Sequence, residues 1–293
     1  MHTIRMKAYA KINLGLDVLN KRADGYHDVC MIMQTVDVYD TLTIRKADHN
    51  KISLKTNHPY LPCDKNNIVY KAAEVFLHKY HPGNGVILKL TKTIPVAAGL
   101  AGGSSDAAAA LLGLNELFQT GLSKEELMKL GVTLGADVPY CILQGTALSQ
   151  GIGEVLTPLK PMPDCSILLV KPDISVSTKF VYENLNLHAE LYHPNIGAMR
   201  EALEEGNLIK LTGQMDNILQ TVTVKNYPVI EEIKDKIREF GALTALMSGS
   251  GPTVFGVFDD PDLASAAYKH FIKTEYKYQV FLTKPYWPEQ LNH

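Results

Sequence analysis

The run Pro95-Val96-Ala97-Ala98-Gly99-Leu100-Ala101-Gly102-Gly103-Ser104-Ser105 leads straight into Asp106 and an alanine block. Glycines at 99, 102 and 103 tolerate positive φ and carry no Cβ, so a ligand can approach the backbone closely. Ser104 and Ser105 stand where a helix N-cap is expected. Such a loop aims unpaired amides and the positive end of a helix dipole at one point. That is an anion site, and phosphate is the commonest biological anion for it. A plain turn ahead of a helix is the competing reading. No Gly-Lys-Ser/Thr follows, and the glycine spacing is not G-x-G-x-x-G, so a nucleotide would be held without a P-loop lysine.

Four other places carry chemistry. Lys11 lies in the apolar stretch Ala10-Lys11-Ile12-Asn13-Leu14, where a lysine must snorkel to solvent, pair or work. Asn13 projects on the same side if the strand is regular. Asp137 follows Gly135-Ala136 at the expected end of a helix, away from dipole stabilisation. It reads as a turn aspartate before Pro139, or as a base or metal ligand. Tyr26 and His27 put an aromatic face beside an imidazole, suited to a packed turn or to gripping a flat ring. Ser248-Gly249-Ser250-Gly251-Pro252 is a second glycine-rich turn, either a simple strand connection or more backbone for a ligand.

The elements that must position these groups follow from periodicity. Strands are predicted over Thr3–Tyr9, Ile12–Leu19, Gln34–Ile44, Lys51–Lys55 and Gly85–Thr91, with a helix over Asn67–Tyr80. Ala107, Leu111, Leu114 and Phe118 keep helical spacing after the loop. Ser123-Lys124-Glu125-Glu126 is a capping box for a further helix ending near Gly135. A proline-marked connection, Pro158 to Pro163, is the expected domain boundary. Beyond it come a strand at Ser166–Val170, helices from about Thr178 to Phe240, strands at Leu243–Met247 and Thr253–Phe258, a helix at Pro261–Thr274 and a strand at Tyr278–Thr283. That order matches a βαββαβ ferredoxin-like layout.

With 293 residues the chain suits one large or two ordinary domains. A net charge of −2 argues against nucleic acid as the main partner. Cys30, Cys63, Cys141 and Cys165 form no C-x-x-C and read as indifferent thiols in a reducing compartment. The N-terminus has no apolar signal core, and no apolar run is long enough for a membrane span. A cytoplasmic enzyme is the expectation.

Together these pieces resemble the GHMP kinases, the superfamily of galactokinase, homoserine kinase and mevalonate kinase. Pro95 to Ala107 follows an expanded form of the superfamily's phosphate loop, P-x-x-x-G-L-x-S-S-A, with two extra residues before the serines. Ser248 to Pro252 matches its third motif, and Lys11-Ile12-Asn13-Leu14 resembles its first. Three features narrow the resemblance, which runs essentially end to end. They are Ala10–Leu14 with Arg22-Ala23-Asp24-Gly25-Tyr26-His27 close behind, the expanded loop, and Leu134-Gly135-Ala136-Asp137-Val138-Pro139. They imply a member that passes phosphate from ATP to the 2-hydroxyl on the methylerythritol part of a cytidine diphosphate conjugate, in the non-mevalonate isoprenoid route.

The implied fold is α+β in two domains with the active site in the cleft between them. Residues 1–160 would be a ribosomal-protein-S5-like ATP-binding domain and residues 161–293 a ferredoxin-like domain. Lys11 and Asp137 match the catalytic pair: Asp137 would accept the hydroxyl proton, and Lys11 would hold it ionised and balance charge on the transferring group. The resemblance assigns ATP to the loop from Pro95 to Ser105 and its adenine to Asn66, Asn67 and Ile68. Asn13, Tyr26, His27, Asp137 and Thr178 would hold the acceptor. Mg²⁺ is implied with ATP, with Ser104 and Ser105 as hydroxyl donors or magnesium contacts. No glutamate equivalent to the dedicated metal ligand of some superfamily members stands out. No nucleic acid or membrane partner is implied. Homoserine and mevalonate have no base for Tyr26 and His27 to recognise. A non-catalytic nucleotide-binding module would not need Lys11 and Asp137, and nothing points to a decarboxylase substrate. Many relatives have glycine where this chain has Ala97, Ala98 or Ala101, so these alanines must keep ordinary φ or carry modest strain.

Overall fold

Ala8, Ala10, Ile12, Leu14, Leu16 and Val18 are all buried, and so are Lys11, Asn13 and Asp17 between them. This period of two makes one continuous strand, β1 (Thr3–Lys21), where the sequence predicts two. Lys11 and Asn13 project from the face opposite the apolar residues, so they interrupt nothing. β2 (His27–Lys46) likewise begins at His27 rather than at Gln34. The computed structural model describes residues 2–187 and 192–288, so residues 289–293 of the expected second domain lie outside the described residues.

The chain forms two compact units, interleaved in sequence. One comprises Met1–Ala10, Val38–Val96 and Ala101–Leu143; the other comprises Lys11–Asp37, Ala97–Leu100 and Gln144–His293.

In the first unit, β2 from Thr41 to Lys46 pairs antiparallel with β4 (Val86–Thr91). β3 (Ile52–Thr56) runs parallel to β4, with α1 (Ile68–Tyr80) supplying the return. α2 (Gly102–Phe118) lies close on this sheet because Gly113 has no side chain. A Cβ there would stand 2.5 Å from Ile44 Cδ1 and 2.8 Å from Met6 Cγ. α3 (Lys124–Val132) opens on the predicted capping box, with Ser123 and Glu126 bonded reciprocally. α4 (Val138–Leu143) ends the unit.

In the second unit, β2 from Val29 to Gln34 pairs antiparallel with β5 (Thr146–Gly151), which pairs in turn with β6 (Val155–Pro158). Neither β5 nor β6 is predicted, since β5 is half polar and lacks alternation. A four-stranded sheet follows: β7 (Ser166–Lys171), β8 (Thr244–Met247), β9 (Val254–Phe258) and β10 (Gln279–Thr283). Its order is β10-β7-β9-β8, antiparallel throughout. The helices α5 (Thr178–Glu183), α6 (Ile196–Glu204), α7 (Leu208–Thr212) and α8 (Gln220–Asn226) precede α9 (Val229–Glu239). α9 and α10 (Pro261–Phe271) pack on the sheet, completing the ferredoxin-like layout. α9 docks through the stripe Ile230, Ile233 and Ile237. Gly256 admits it, since a Cβ there would lie 2.3 Å from Ile237 Cγ2.

Candidate active site

Within the second unit, Lys11 is 5% exposed. Its Nζ donates to Asn13 Oδ1 at 2.7 Å and to the Gly99 carbonyl at 3.2 Å. Its backbone N–H donates to the Leu100 carbonyl at 3.1 Å. β1 therefore holds residues 97–100 by backbone and side chain together. An ammonium has three donors, and two are engaged here, both by neutral oxygens. A buried cation so placed is short of negative charge.

The Ser248–Pro252 turn closes on the same spot. Ser248 Oγ donates to the Gly99 carbonyl at 2.9 Å. Gly99 has φ +73°, and a Cβ on it would come within 2.2 Å of the Ser248 carbonyl oxygen. At Gly249 (φ +56°) a Cβ would lie 3.5 Å from both Asn13 Oδ1 and Lys11 Nζ. Gly99 thus requires glycine for both conformation and space, and Gly249 favours it for conformation. Thr178, the first residue of α5, joins this turn through a 2.8 Å hydrogen bond between its hydroxyl and that of Ser250.

The loop differs from the prediction at its helix start. α2 begins at Gly102, and its N-cap is Ala101, which offers no side-chain bond. Ser104 and Ser105 are inside the helix rather than at its cap. The hydroxyl of Ser105 donates to the Tyr9 carbonyl at 2.7 Å, and its N–H donates to Ala101 O at 2.9 Å. Ser105 is buried and fastens α2 to β1 within the first unit, so its hydroxyl proton is not open to a phosphate. Ser104 is partly exposed. The first-turn amides of Gly102, Gly103 and Ser104 precede any intrahelical partner and have no side-chain cap. Ala97 and Ala101 take φ values of 52° and 54°, while Ala98 keeps ordinary backbone. The strain foreseen for the alanines falls on two of the three.

Among the predicted adenine-site residues, Ile68 lies beside the loop, with Cγ2 3.8 Å from where a Gly103 Cβ would be. Asn66 is exposed, its N–H bonded to Asp64 Oδ1 at 2.9 Å. The Asn67 side chain is committed to structure: Oδ1 accepts from Val69 N at 2.9 Å, and Nδ2 donates to the Pro62 carbonyl at 2.8 Å.

Asp137 corrects the sequence reading. It does not end the preceding helix, which stops at Val132. It stands immediately before α4, with its carbonyl accepting from Cys141 N at 3.1 Å. A carboxylate at a helix start is favoured by the local dipole. Its side chain is half-buried.

Tyr26 is 59% exposed at the end of a tight turn. The turn is fixed by Arg22 N to Tyr26 O at 2.8 Å, Tyr26 N to Asp24 Oδ1 at 3.0 Å, and an Arg22 guanidinium bonded to Asp24 and Asp28. His27 is partly buried, and burial, helped by Lys21, lowers its pKa below the ordinary histidine value. The imidazole is thus biased to the neutral form. Its ring centroid lies 5.2 Å from that of Tyr182, tilted 40°. The sequence reading misses Tyr182, which only the fold of α5 brings to His27.

A buried charge cluster under α2 was also missed. Lys92 Nζ bonds Asp40 Oδ2, and bonds Asp106 Oδ2 at 2.7 Å. Asp40 Oδ1 accepts the N–H groups of Thr93 and Ile94. Asp106 Oδ1 is buried without a partner among the described residues. Burial works against the Lys92 charge, but Asp106 and Asp40 outweigh it and raise the Lys92 pKa above its ordinary value. Burial pushes Asp106 well above the carboxylate range, against the pull of Lys92 and with the help of Asp40. Burial thus opposes ionisation of Asp106 more strongly than Lys92 favours it. A Cβ on Gly102 would lie 3.2 Å from Lys92 Nζ, so the cluster abuts the loop.

Residues 67–145 match the GHMP kinases N terminal domain, and residues 187–277 match the GHMP kinases C terminal model. Both halves of the chain are thus of the GHMP kinase class. The chain is 57% identical over 284 residues to a protein of Lachnoclostridium phytofermentans named 4-diphosphocytidyl-2-C-methyl-D-erythritol kinase, covering 97% of this chain and 98% of that protein. A protein of the same name from Lachnospira eligens is 49% identical, covering 98% and 100%. A crystal structure of 4-(cytidine 5′-diphospho)-2C-methyl-D-erythritol kinase superposes with a TM-score of 0.81 at 31% identity, covering 97% of this chain and 100% of that one. The chain belongs to the 4-diphosphocytidyl-2-C-methyl-D-erythritol kinase family.

Proposed function

We propose that the protein transfers the γ-phosphoryl group of ATP to the 2-hydroxyl of 4-diphosphocytidyl-2-C-methyl-D-erythritol, a step of the non-mevalonate route to isoprenoid precursors. The near-full-length identity of 57% to a protein of that name carries the reading. The buried Lys11, held by the neutral oxygens of Asn13 and Gly99, supports it chemically.

The roles follow from what each group can do. The uncapped amides at the start of α2 receive phosphate oxygens, and the glycines at 99, 102 and 103 let those oxygens close on the backbone. Asp137 accepts the proton of the attacking hydroxyl. Lys11 favours the ionised forms of Asp137 and of that hydroxyl, and Asn13 orients the alcohol. Phosphoryl transfer asks mainly for positioning and charge neutralisation, and Lys11 and the loop amides supply both. Tyr26 and neutral His27 take the cytosine by stacking and hydrogen bonding, and Thr178 adds a hydroxyl. Asn66, Asn67 and Ile68 border the adenine, Asn67 through its backbone.

Among the described residues no three histidine, cysteine or acidic side chains gather into a metal site. Mg²⁺ would arrive on the ATP phosphates, its usual mode in kinases, with the Ser104 hydroxyl as the chain's donor. When bound, the ion neutralises phosphate charge.

The division at residue 160 rests on the proline-marked connection, with the two family models falling on either side of it. No helix among the described residues is long and apolar enough to cross a membrane. A cytoplasmic site of action, small-molecule substrates only and no nucleic acid partner complete the reading.

The test is an acceptor screen with γ-labelled ATP against the cytidine conjugate, homoserine and mevalonate. Label on the conjugate alone, with phosphorus NMR placing it on the 2-hydroxyl, is the expected result. Label on homoserine or mevalonate instead rejects the assignment.

A further inference from the structure

Asn217 is 1% exposed, in the connection between α7 and α8. Its neighbours clamp the strand that carries Lys11. Leu16 N donates to Asp216 O, and Ile218 N donates to Leu16 O, each at 3.0 Å. Its side chain reaches the other way. Nδ2 donates to the Met247 and Gly249 carbonyls, both at 2.8 Å, and Oδ1 accepts from Leu219 N at 3.0 Å. Gln220 adds to the grip, its Oε1 accepting the Met247 N–H at 3.1 Å.

One buried amide thus ties β1 to the entry and the tip of the Ser248–Pro252 turn. A turn with two glycines has more conformations to lose than any other segment of its length. Here it must be held with Gly249 against Lys11 and Asn13, and with Ser248 on the Gly99 carbonyl. The turn's own bonds, Ser248 N to Thr253 O and Gly251 N to Ser248 O, both 2.9 Å, shape it but do not locate it. Asn217 locates it. No carboxylate can replace it, because two carbonyl oxygens need two N–H donors from one atom.

Resting on the kinase reading above, we propose that Asn217 is a positioning residue for phosphoryl transfer: its amide sets the Gly249 backbone against Lys11 and Asn13 and so fixes the reacting lysine. It acts through the turn and need not touch either substrate.

Asn217→Asp tests this with an isosteric side chain. The variant keeps the acceptor for Leu219 N but turns an oxygen toward the two carbonyls. Displacing a reacting group by about 1 Å costs on the order of 10²-fold. The expected result is a 10- to 100-fold fall in kcat at pH 8, within that range, with KM values for ATP and the conjugate changing much less. The deficit should shrink as pH is lowered, since a protonated Asp at 217 regains one donor. Asn226→Ala, at the end of α8 with its side chain donating to the Val222 carbonyl at 2.8 Å, should leave kcat unchanged. A folded Asn217→Asp enzyme with wild-type kcat overturns the proposal, as does a kcat deficit that does not vary with pH. If Asn217→Asp does not fold, Gln220→Leu removes the Met247 N–H acceptor, together with a long 3.3 Å donation to Asp216 Oδ1, and leaves the Asn217 amide in place. A lowered kcat in that folded variant supports the proposal, and an unchanged one overturns it. Wild-type protein that fails to phosphorylate the conjugate rejects the kinase reading itself. Active wild type with an unaffected variant rejects only the role of Asn217.

Discussion

Lys11 Nζ lies 2.7 Å from Asn13 Oδ1, two residues along the same face of β1. The pairing leaves the ammonium buried, oriented and without a counter-charge from its own unit. A lysine in that state attracts an anion, which in the proposed reaction is the Asp137 carboxylate and the transferring phosphoryl group. Lys11→Met and Asp137→Asn should each lower kcat by on the order of 10²–10⁴-fold, the span of general-base and charge-stabilising groups. ATP binding measured by calorimetry should persist in both. Groups that act as one unit are non-additive. The double variant should therefore be little worse than the poorer single variant, and a fully multiplicative loss would separate the two roles.

Gly249→Ala tests the turn directly. Its φ of +56° already disfavours a side chain, and the new methyl would sit 3.3 Å from the Gly99 carbonyl oxygen and 3.5 Å from Lys11 Nζ. The conformational strain alone is worth about 1 kcal/mol. A modest drop in the denaturation midpoint should accompany a kcat loss of roughly tenfold or more, because relief of the φ strain shifts the turn that packs on Lys11. Unchanged kcat would mean that the turn does not set the lysine.

Much of this site was legible from residue order. The glycine-rich loop, the Ser248–Pro252 turn and the same-side projection of Lys11 and Asn13 follow from local chemistry, and within the second unit the structure brings Ala97–Leu100 of the loop onto Lys11 and Ser248. Local signals failed wherever a side chain is spent on a distant partner. Ser105 looked like a cap, but its hydroxyl is taken by Tyr9, remote in sequence. Asp137 looked like the end of one helix and is the start of another, because the short α4 has no periodicity of its own. Lys92, Asp40 and Asp106 carry no spacing that announces a cluster, and neither do Asn217 and Gln220. Their partners are chosen by tertiary packing. β5 escaped because its polar residues are matched by pairing with β2, which a single-strand pattern does not reveal.

The alanines of the phosphate loop offer a stability test with opposite signs at adjacent positions. Ala97 and Ala101 sit at φ 52° and 54°, whereas Ala98 has ordinary backbone and is 3% exposed. An L-residue in the left-handed region costs roughly 1 kcal/mol, which glycine does not incur. Ala97→Gly and Ala101→Gly should therefore each stabilise the protein by about 0.5–1 kcal/mol in urea denaturation. Ala98→Gly should destabilise it by about 1 kcal/mol, through lost burial and a freer unfolded chain. The same sign at all three positions would contradict the loop geometry.

The cluster of Lys92, Asp40 and Asp106 makes a pH-dependent contribution whose direction is fixed. Burial raises the Asp106 pKa well above its ordinary value. Between that ordinary value and the raised one, the folded protein keeps a proton that the unfolded chain has released. Stability attributable to this group is fully present below the unfolded aspartate pKa, near 3.9, and is lost as pH rises through the folded value. Asp106→Asn removes the titration while keeping an oxygen acceptor for Lys92. Its melting temperature, measured in a pH series, should approach that of wild type at the acid end and exceed it increasingly as pH rises. Asp40→Asn breaks the buried Lys92–Asp40 ion pair and should destabilise the protein by about 3–5 kcal/mol. An Asp106→Asn melting temperature that tracks wild type across the whole pH series would remove Asp106 from the pH dependence.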